Sequence, residues 1–213
     1  MIKNVLKIFV GCSVFAAILS YFSCAASPGS GSGTTTVIYD NFNRVNGPIG
    51  GNWILNFGSV TIINNQAVFA GTSIYPNACI QSNCTFSTTY YKLTADYNMD
   101  LGSYFVIGLY DINNNYYAVV DNEGVINIVN DSLTLFSVKY VYYSQDQYNL
   151  IVEDNAGIVN ITMKDKTAGT TWTGSFTNSS SKISYVNGYL RGGAYSSGYS
   201  LKTYVSDVKL EIK

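Results

Sequence analysis

The chain has 213 residues, of which 12% are charged, and it contains no histidine. About a quarter of the residues are charged in ordinary soluble proteins. The absence of histidine excludes Ser-His-Asp and Cys-His catalysis, imidazole metal sites and a histidine pH switch. A net charge of −1 without a basic run excludes the basic surface by which proteins usually bind nucleic acid. The 47% of hydrophobic residues exclude a disordered chain.

Residues 1–23 are predicted to be a signal peptide. Lys3 and Lys7 precede an apolar stretch over residues 8–22, which as a helix spans roughly 22 Å, less than the hydrocarbon core of a bilayer. A secretory signal is therefore favoured over a transmembrane anchor. The run Tyr-Phe-Ser-Cys at 21–24 resembles the end of a bacterial lipoprotein leader, which implies lipid attachment at Cys24, although Tyr21 stands where an aliphatic residue is usual. The alternative is ordinary cleavage near residues 25–26.

Residues 24–36 are rich in Gly, Ser and Thr and are predicted to form a flexible tether. Removal of residues 1–23 takes away two lysines and no acid, which leaves 10 basic and 13 acidic residues and a charge of −3. In bacterial lipoproteins the residue after the lipidated cysteine biases sorting, and Ala25 is not the aspartate associated with inner-membrane retention. We expect an exported protein that contacts the membrane only through its lipid anchor, at the outer membrane or cell surface.

Two cysteines, Cys79 and Cys84, remain in the body of the chain. In an exported protein this spacing favours a small disulfide loop around residues 80–83, and free thiols are the alternative. A zinc site would need two further ligands of a kind that the chain lacks.

From residue 37 onward the hydrophobic pattern has a period of two, with turn residues every 8 to 12 positions. Residues 60–63 and 67–70 are predicted to form a hairpin with its turn at residues 64–66. In the last segment, Tyr204, Ser206, Val208, Leu210 and Ile212 are predicted to share one face, with Thr203, Asp207, Lys209 and Glu211 on the other. Further strands are predicted over 91–99, 104–111, 116–121, 125–129, 133–140, 148–153, 158–164, 171–176, 189–195 and 201–213. This pattern predicts one all-β domain over residues 37–213, built as two packed antiparallel sheets.

The segment 40–53, DNFNRVNGPIGGNW, resembles the opening of laminin-G-like domains in the concanavalin A-like lectin and glucanase superfamily. Later segments fit the same order: 60–69, 92–96, 105–109, 115–119, 148–152 and 205–210. The resemblance implies a jelly-roll sandwich in which the first and last strands are adjacent. It spans nearly all of residues 37–213, although the later strands match mostly by spacing.

The opening motif is expected to stabilise the fold, and a ligand-binding role for this loop is the alternative. Gly47, Gly50 and Gly51 are expected to supply turn conformations. Phe42 and Trp53 are expected to pack as large apolar side chains where the chain enters the sandwich. Arg44 is expected to bond loop carbonyls or to pair with an acid such as Asp207. The residues themselves call for no cofactor. The resemblance implies one option, a structural calcium ion near the terminal strands, with oxygens from Asp40 and Asp207.

The same superfamily contains glycoside hydrolases, which use paired carboxylates. Its glucanases carry acidic residues at alternate positions of one strand, and the body of this chain has only Glu123, Glu153 and Glu211. None of them repeats that spacing, so no catalytic residue is predicted and the protein is expected not to be an enzyme.

The tyrosines favour a binding function. Sugar rings stack on aromatic rings, and neutral polar side chains bond their hydroxyls. Six tyrosines near Asn- and Ser-rich turns are candidate ligand contacts: Tyr116, Tyr117, Tyr142, Tyr143, Tyr195 and Tyr199. The alternative for each is packing, since tyrosine is favoured in strands. The sequence therefore predicts a non-catalytic glycan-binding module, with a structural or protein-binding surface module as the alternative.

Overall fold

The structure is a computed structural model that describes residues 33–51, 53–71, 77–82, 88, 90–111, 116–121, 124–130, 133–144, 146–177, 185–194 and 201–213. These residues contain strands and no helix, and hence no helix long and apolar enough to cross a membrane. The strands are β1 (Thr35–Asp40), β2 (Gly47–Pro48), β3 (Trp53–Phe57), β4 (Ser59–Ile63), β5 (Gln66–Ala70), β6 (Asn77–Ser82), β7 (Tyr90–Met99), β8 (Ser103–Asp111), β9 (Tyr116–Asp121), β10 (Val125–Asn130), β11 (Leu133–Lys139), β12 (Tyr148–Asn155), β13 (Ile158–Asp165), β14 (Thr171–Thr177), β15 (Tyr185–Ala194) and β16 (Lys202–Ile212).

The strands form two antiparallel sheets. One sheet has nine strands in the order β14-β13-β12-β7-β16-β5-β4-β2, with β1 paired to β16 beside this path. The other has seven strands in the order β11-β10-β9-β8-β15-β6-β3. The all-β two-sheet sandwich is confirmed, and so is the expected pairing of the first strand with the last, since Thr35 lies opposite Ile212.

The core lies between the sheets and follows the period of two. In β7, for example, Leu93, Ala95 and Tyr97 are buried in the core, and Lys92 and Asp96 on the opposite face are only half-buried. The pattern is that of a sheet with one face against the core and one toward solvent.

The predicted hairpin between β4 and β5 is confirmed, although Gln66, expected in the turn, is the first residue of β5. Asn64 and Asn65 form its two-residue turn with φ of 51° and 61°. Positive φ at both central residues is the requirement of a type I′ turn, which matches the twist of the two strands.

The predicted face assignment of β16 is wrong in its first half. Val208 and Leu210 face the core as expected, but Thr203 and Val205 are also buried, while Tyr204 and Ser206 are only half-buried. The register with β7 shifts between Val205 and Asp207. This β-bulge adds one residue and reverses the alternation, which a strict period of two does not anticipate.

The region of Cys79 also differs from the prediction. Residues 80–82 were expected to form a small loop, but they belong to β6, which is paired to β15 on one side and β3 on the other. Cys79 is buried within this strand. A bond to Cys84 requires the chain to reverse within residues 83–84, since Ser82 already lies about 10 Å along the strand from Cys79. Cys84 lies outside the described residues, so the disulfide stays a prediction.

Strand β1 begins two residues earlier than the predicted domain boundary. Thr35 and Thr36, assigned to the tether, pair with Ile212 and Glu211. The predicted signal peptide, Cys24 and the tether up to residue 32 lie outside the described residues.

The opening motif locks one corner of the sandwich through Asp40. This carboxylate is 7% exposed. Its Oδ1 accepts hydrogen bonds from Phe42 N (2.8 Å) and Arg44 Nη1 (2.7 Å), and its Oδ2 accepts one from Trp53 Nε1 (2.9 Å). The rings of Phe42 and Trp53 stack at 6.5 Å between centroids.

Two expectations for this motif need correction. Arg44 donates to the loop carbonyl of Gly50 at 3.4 Å, as expected, but its acid partner is Asp40 and not Asp207. Neither Gly47 nor Gly50 adopts a left-handed conformation; within the motif Gly51 does, at φ 69°, and so does Phe42, at φ 52°. The hydrogen bond from Phe42 N to Asp40 holds that unusual backbone in place.

Candidate functional site

The tyrosines whose side chains the structure describes comprise a buried group, the half-buried Tyr142 and Tyr204, and two exposed rings. Tyr39 and Tyr143 are 53% and 57% exposed. The buried tyrosines are Tyr90, Tyr91, Tyr97, Tyr104, Tyr140, Tyr148 and Tyr189. Most of the described tyrosine rings therefore serve the packing of the sandwich, and among them Tyr39 and Tyr143 are the exposed ones.

Several buried tyrosines surround one buried carboxylate at an end of the sandwich. Asp121, the last residue of β9, is completely buried. It accepts hydrogen bonds from the hydroxyls of Tyr97 and Tyr140, the latter at 2.7 and 2.6 Å to its two oxygens. Burial, and after it the negative charge of Asp121, raises the pKa of both tyrosines, so they stay protonated and act as donors.

Tyr148 links this buried layer to the surface. Its ring packs edge-on against Tyr140 and stacks on Tyr142, with centroids 5.6 Å apart in each pair. Its hydroxyl accepts from Tyr143 N at 2.8 Å and donates to Tyr143 O at 3.1 Å. The backbone of Tyr143 is therefore held at both its polar atoms, while its ring remains in solvent.

Tyr143 belongs to the connection between β11 and β12, residues 140–147, which we call the tyrosine loop. The hydroxyl of Tyr142 bonds the carbonyl of Met99 at 2.7 Å and so fixes the tyrosine loop to the end of β7. The backbone of Gln147 meets the turn between β13 and β14: its N donates to Thr167 Oγ1 at 3.0 Å and its carbonyl accepts from Lys166 N at 2.7 Å.

The accessible aromatic and polar side chains of the tyrosine loop define a candidate surface, which consists of Tyr143, Asp146 and Gln147. It combines an exposed aromatic ring with a carboxylate and an amide on a loop that is bonded to the end of β7 and to the turn between β13 and β14. An arrangement of this kind can stack against the apolar face of a sugar and bond its hydroxyls.

Of the six tyrosines predicted as ligand contacts, the structure describes the side chains of two, Tyr142 and Tyr143. Tyr143 is on the candidate surface, but Tyr142 is half-buried in the core layer and serves packing. Tyr116 and Tyr117 lie in β9, where their backbones pair with Tyr110 and Leu109; nothing is described of their side chains. Tyr195 and Tyr199 lie outside the described residues.

The structure also brings together two pairs of aspartates that the sequence analysis missed. Asp96 of β7 lies directly opposite Asp207 of β16 on the outer face of the nine-stranded sheet. Asp96 accepts from Asn149 Nδ2 at 2.6 Å and pairs with Lys166 at 2.8 Å. Burial, and after it the charge of Asp96, raises the pKa of Asp207. The second pair is Asp146 and Asp165, at the tyrosine loop.

The glutamates do not form a hydrolytic pair within the described residues. Glu153 accepts a hydrogen bond from the hydroxyl of Tyr90 at 3.0 Å, and Glu211 forms an ion pair with Lys209 at 2.8 Å. Asp154, next to Glu153, is buried and accepts from Gly157 N at 2.8 Å. Glu123 lies outside the described residues.

The residues expected to hold calcium do not fit a cation well. Both oxygens of Asp40 already accept hydrogen bonds, and the Arg44 guanidinium lies 2.7 Å from Oδ1. A cation there would meet a fixed positive charge, and Asp207, which also feels the charge of Asp40, lies beside Asp96 and Tyr39. No group of three or more Asp, Glu, Cys or His residues suited to a metal occurs in the described part of the chain.

A second polar feature lies on the outer face of the seven-stranded sheet. Arg191 of β15 is 6% exposed, with its guanidinium 5.2 Å from the ring centre of Phe57 and 5.8 Å from that of Tyr104. Its Nε donates to Asn77 Oδ1 at 2.9 Å. These side chains are already covered, so they stabilise this face and do not present a surface to a ligand.

Comparison with known proteins identifies the fold. The sequence matches no protein-family model, and no curated protein is similar to it in sequence. Among solved structures, the basic lectin of winged bean, crystallised with Tn-antigen, superposes with a TM-score of 0.66 at 10% identity, over 84% of this chain and 98% of the lectin. The chain has the β-sandwich fold of the legume lectins.

Two other structures share this fold. The CBM2 module of the evolved Dit protein of Lactobacillus casei BL23 phage J-1 has a TM-score of 0.67 at 14% identity, over 84% of this chain and 95% of the module. The Crh5 transglycosylase has a TM-score of 0.62 at 11% identity, over 84% of both chains. The same fold thus serves lectins, a binding module and an enzyme, so function has to be argued from the site.

Proposed function

We propose that this protein is a non-catalytic glycan-binding module of the cell envelope and that it binds sugar at the candidate surface around Tyr143. The observation that carries the proposal is the Tyr143 ring, which is exposed although its backbone is bonded to the buried hydroxyl of Tyr148. An aromatic side chain on a backbone that is already fixed loses less conformational freedom on ligand binding than one on a mobile loop. The lectin-like fold also supports a glycan-binding function.

Polar groups beside the ring supply the rest of the proposed site. Asp146 and Gln147 follow Tyr143 on the tyrosine loop, and both are half-buried. A carboxylate and an amide offer the acceptors and donors that sugar hydroxyls need, while the ring covers the apolar face of the sugar.

Two substitutions test this site. In a glycan array followed by calorimetric titration with the best-bound glycan, Tyr143→Ala is expected to weaken binding about tenfold or more, which corresponds to about 1.4 kcal/mol. The matched control is Tyr39→Ala, since Tyr39 is equally exposed but lies on β1 and bonds Asp207. Equal loss in both variants, or full binding by Tyr143→Ala, would contradict the proposed site.

The non-catalytic part of the proposal rests on the carboxylates. Glu153 and Glu211 are engaged by Tyr90 and Lys209, and both lie away from Tyr143. Asp96 is held by Asn149 and Lys166. We expect no hydrolysis or transglycosylation of any glycan that the array identifies, as measured by product analysis after prolonged incubation.

A protein ligand is the alternative, and the exposed apolar side chains favour it. Leu101 is 68% exposed and Val141 is 53% exposed at the same end as Tyr143. Leu101→Ser should leave sugar binding intact but weaken association with a protein partner. If no glycan on the array binds and a protein partner binds in a way that depends on Leu101, the protein-ligand alternative replaces the glycan proposal.

We also propose that Cys24 carries the lipid anchor and that the module is held at the outer membrane or cell surface. In the native host, the wild-type protein is expected to incorporate radiolabelled palmitate and to partition into detergent. Cys24→Ala should abolish both behaviours. Retained labelling in Cys24→Ala, or an aqueous wild-type protein, would support ordinary signal-peptide cleavage instead.

A further inference from the structure

Tyr143 and Asp146 stand at the two ends of one turn in the tyrosine loop. Asp146 N donates to the carbonyl of Tyr143 at 3.3 Å, which is the bond between the first and fourth residues of a β-turn. The Cα atoms of these two positions lie within about 7 Å of each other in such a turn. The exposed ring of Tyr143 and the half-buried carboxyl group of Asp146 are therefore close neighbours at the surface.

The turn is held in place by its surroundings. The hydroxyl of Tyr148 bonds both backbone polar atoms of Tyr143, at 2.8 Å and 3.1 Å. At the other end of the turn, the backbone of Gln147 is bonded to Thr167 and Lys166. The spacing between the ring and the carboxyl group is therefore set before a ligand arrives, which lowers the cost of binding.

The electrostatic potential around this turn is negative. Burial raises the pKa of the Tyr148 hydroxyl to about 12; the hydrogen bond from Tyr143 N lowers it, and the charges of Asp165, Asp146 and Asp121 raise it further. Burial, and after it the charge of Asp165, also raises the pKa of Asp146. Carboxylates that raise one another's pKa in this way create a local potential that attracts cations.

In the part of the chain that the structure describes, no ion pair neutralises Asp146. The ion pairs found there join Arg44 to Asp40, Lys166 to Asp96 and Lys209 to Glu211. Lys139 ends β11 just before the tyrosine loop, but its neighbour Tyr140 packs in the core, so Lys139 points to the opposite, outer face of the sheet. The negative charge beside Tyr143 can therefore be met by a cationic group of a ligand.

We propose that the candidate surface selects amino sugars with a free, protonated amine over the same sugars in N-acetylated form. The ammonium group pairs with Asp146 and lies against the Tyr143 ring, on which the apolar face of the sugar stacks. N-acetylation removes the charge and keeps the stacking. The inference rests on the proposed function, since it names the class of sugar bound at that site. An exposed ion pair and an exposed cation–aromatic contact together correspond to binding that is about five- to tenfold tighter.

The test is calorimetric titration of the purified protein with β-1,4-linked glucosamine oligomers and with N-acetylated oligomers of the same length, in a buffer that protonates the amine. The wild type is expected to bind the glucosamine oligomers about five- to tenfold more tightly. About 1 M NaCl should remove most of this difference, because the Debye length is then about 3 Å. Asp146→Asn keeps the size of the side chain and should bind both oligomers equally.

Asp207→Asn is the matched control. It removes one negative charge from the outer face of the nine-stranded sheet, opposite Asp96, and should keep the preference. Equal or tighter binding of the N-acetylated oligomers, no binding of the glucosamine oligomers, a preference that survives in Asp146→Asn, or one that is lost equally in Asp207→Asn would each overturn the proposal. If the array still identifies a neutral glycan whose binding depends on Tyr143, the proposed function stands without this inference. If no glycan binds at all, both fail.

Discussion

Replacing Asp40 by alanine is expected to lower the free energy of unfolding by about 3–5 kcal/mol. The substitution leaves three donors without their acceptor: Phe42 N, the Arg44 guanidinium and Trp53 Nε1. Trp53 Nε1 loses its bond in a buried environment, and Phe42 loses the bond that supports its positive φ. Chemical denaturation followed by tryptophan fluorescence measures the change, since Trp53 itself reports on this corner.

Asn41→Ala is the matched control for this prediction. Asn41 Oδ1 accepts from Asn43 N at 3.1 Å, the same two-residue geometry that Asp40 uses with Phe42, but it does so in solvent. An exposed bond of this kind contributes about 1 kcal/mol or less. If Asp40→Ala destabilises no more than Asn41→Ala does, the corner is not held by the buried carboxylate.

The strands were predictable because their period is a local property. Strand β9 has the predicted bounds, and β10, β12 and β13 differ from theirs by one or two residues. Strand β6 was missed, because a pair of cysteines suggested a loop and the run from Asn77 to Ser82 lacks the alternation of a half-exposed strand. Its residues are mostly buried on both faces, between β15 and β3.

Structural features that depend on a neighbouring strand could not be predicted from the sequence pattern. The bulge between Val205 and Asp207 reverses the faces of β16 and sets Asp207 beside Asp96. Nothing in the local pattern indicates it. The pairing of Asp146 with Asp165 likewise depends on the packing of two connections that are separated along the chain by all of β12 and β13.

The tyrosines show the same division between local and tertiary information. Tyr142 and Tyr143 are adjacent and chemically identical, yet one ring stacks on Tyr148 and the other faces solvent. Alternation predicts that neighbours point in opposite directions, but it does not say which ring is buried. That choice is made by the partners of Tyr142, namely the Tyr148 ring and the Met99 carbonyl.

The second large effect is expected at Asp121. Asp121→Ala removes the carboxylate that accepts from the hydroxyls of Tyr97 and Tyr140, and leaves both donors in the core beside a small cavity. We expect a loss of about 3–5 kcal/mol in the free energy of unfolding. Tyr140→Phe removes one donor and keeps the ring, so its loss should be about 1.5–3 kcal/mol.

Tyr90→Phe separates the effect of burial from that of the bond itself. Tyr90 also donates to a carboxylate, Glu153, but this bond is only partly buried and Glu153 can turn to water. Its removal should therefore lower the free energy of unfolding by about 1 kcal/mol or less. Denaturant midpoints of the three variants give the comparison, with the tyrosine signal in near-ultraviolet circular dichroism as a report on packing. If Asp121→Ala and Tyr90→Phe lower the free energy of unfolding by the same small amount, the buried carboxylate does not organise the tyrosine layer. The rigid support proposed for Tyr143 would then be contradicted.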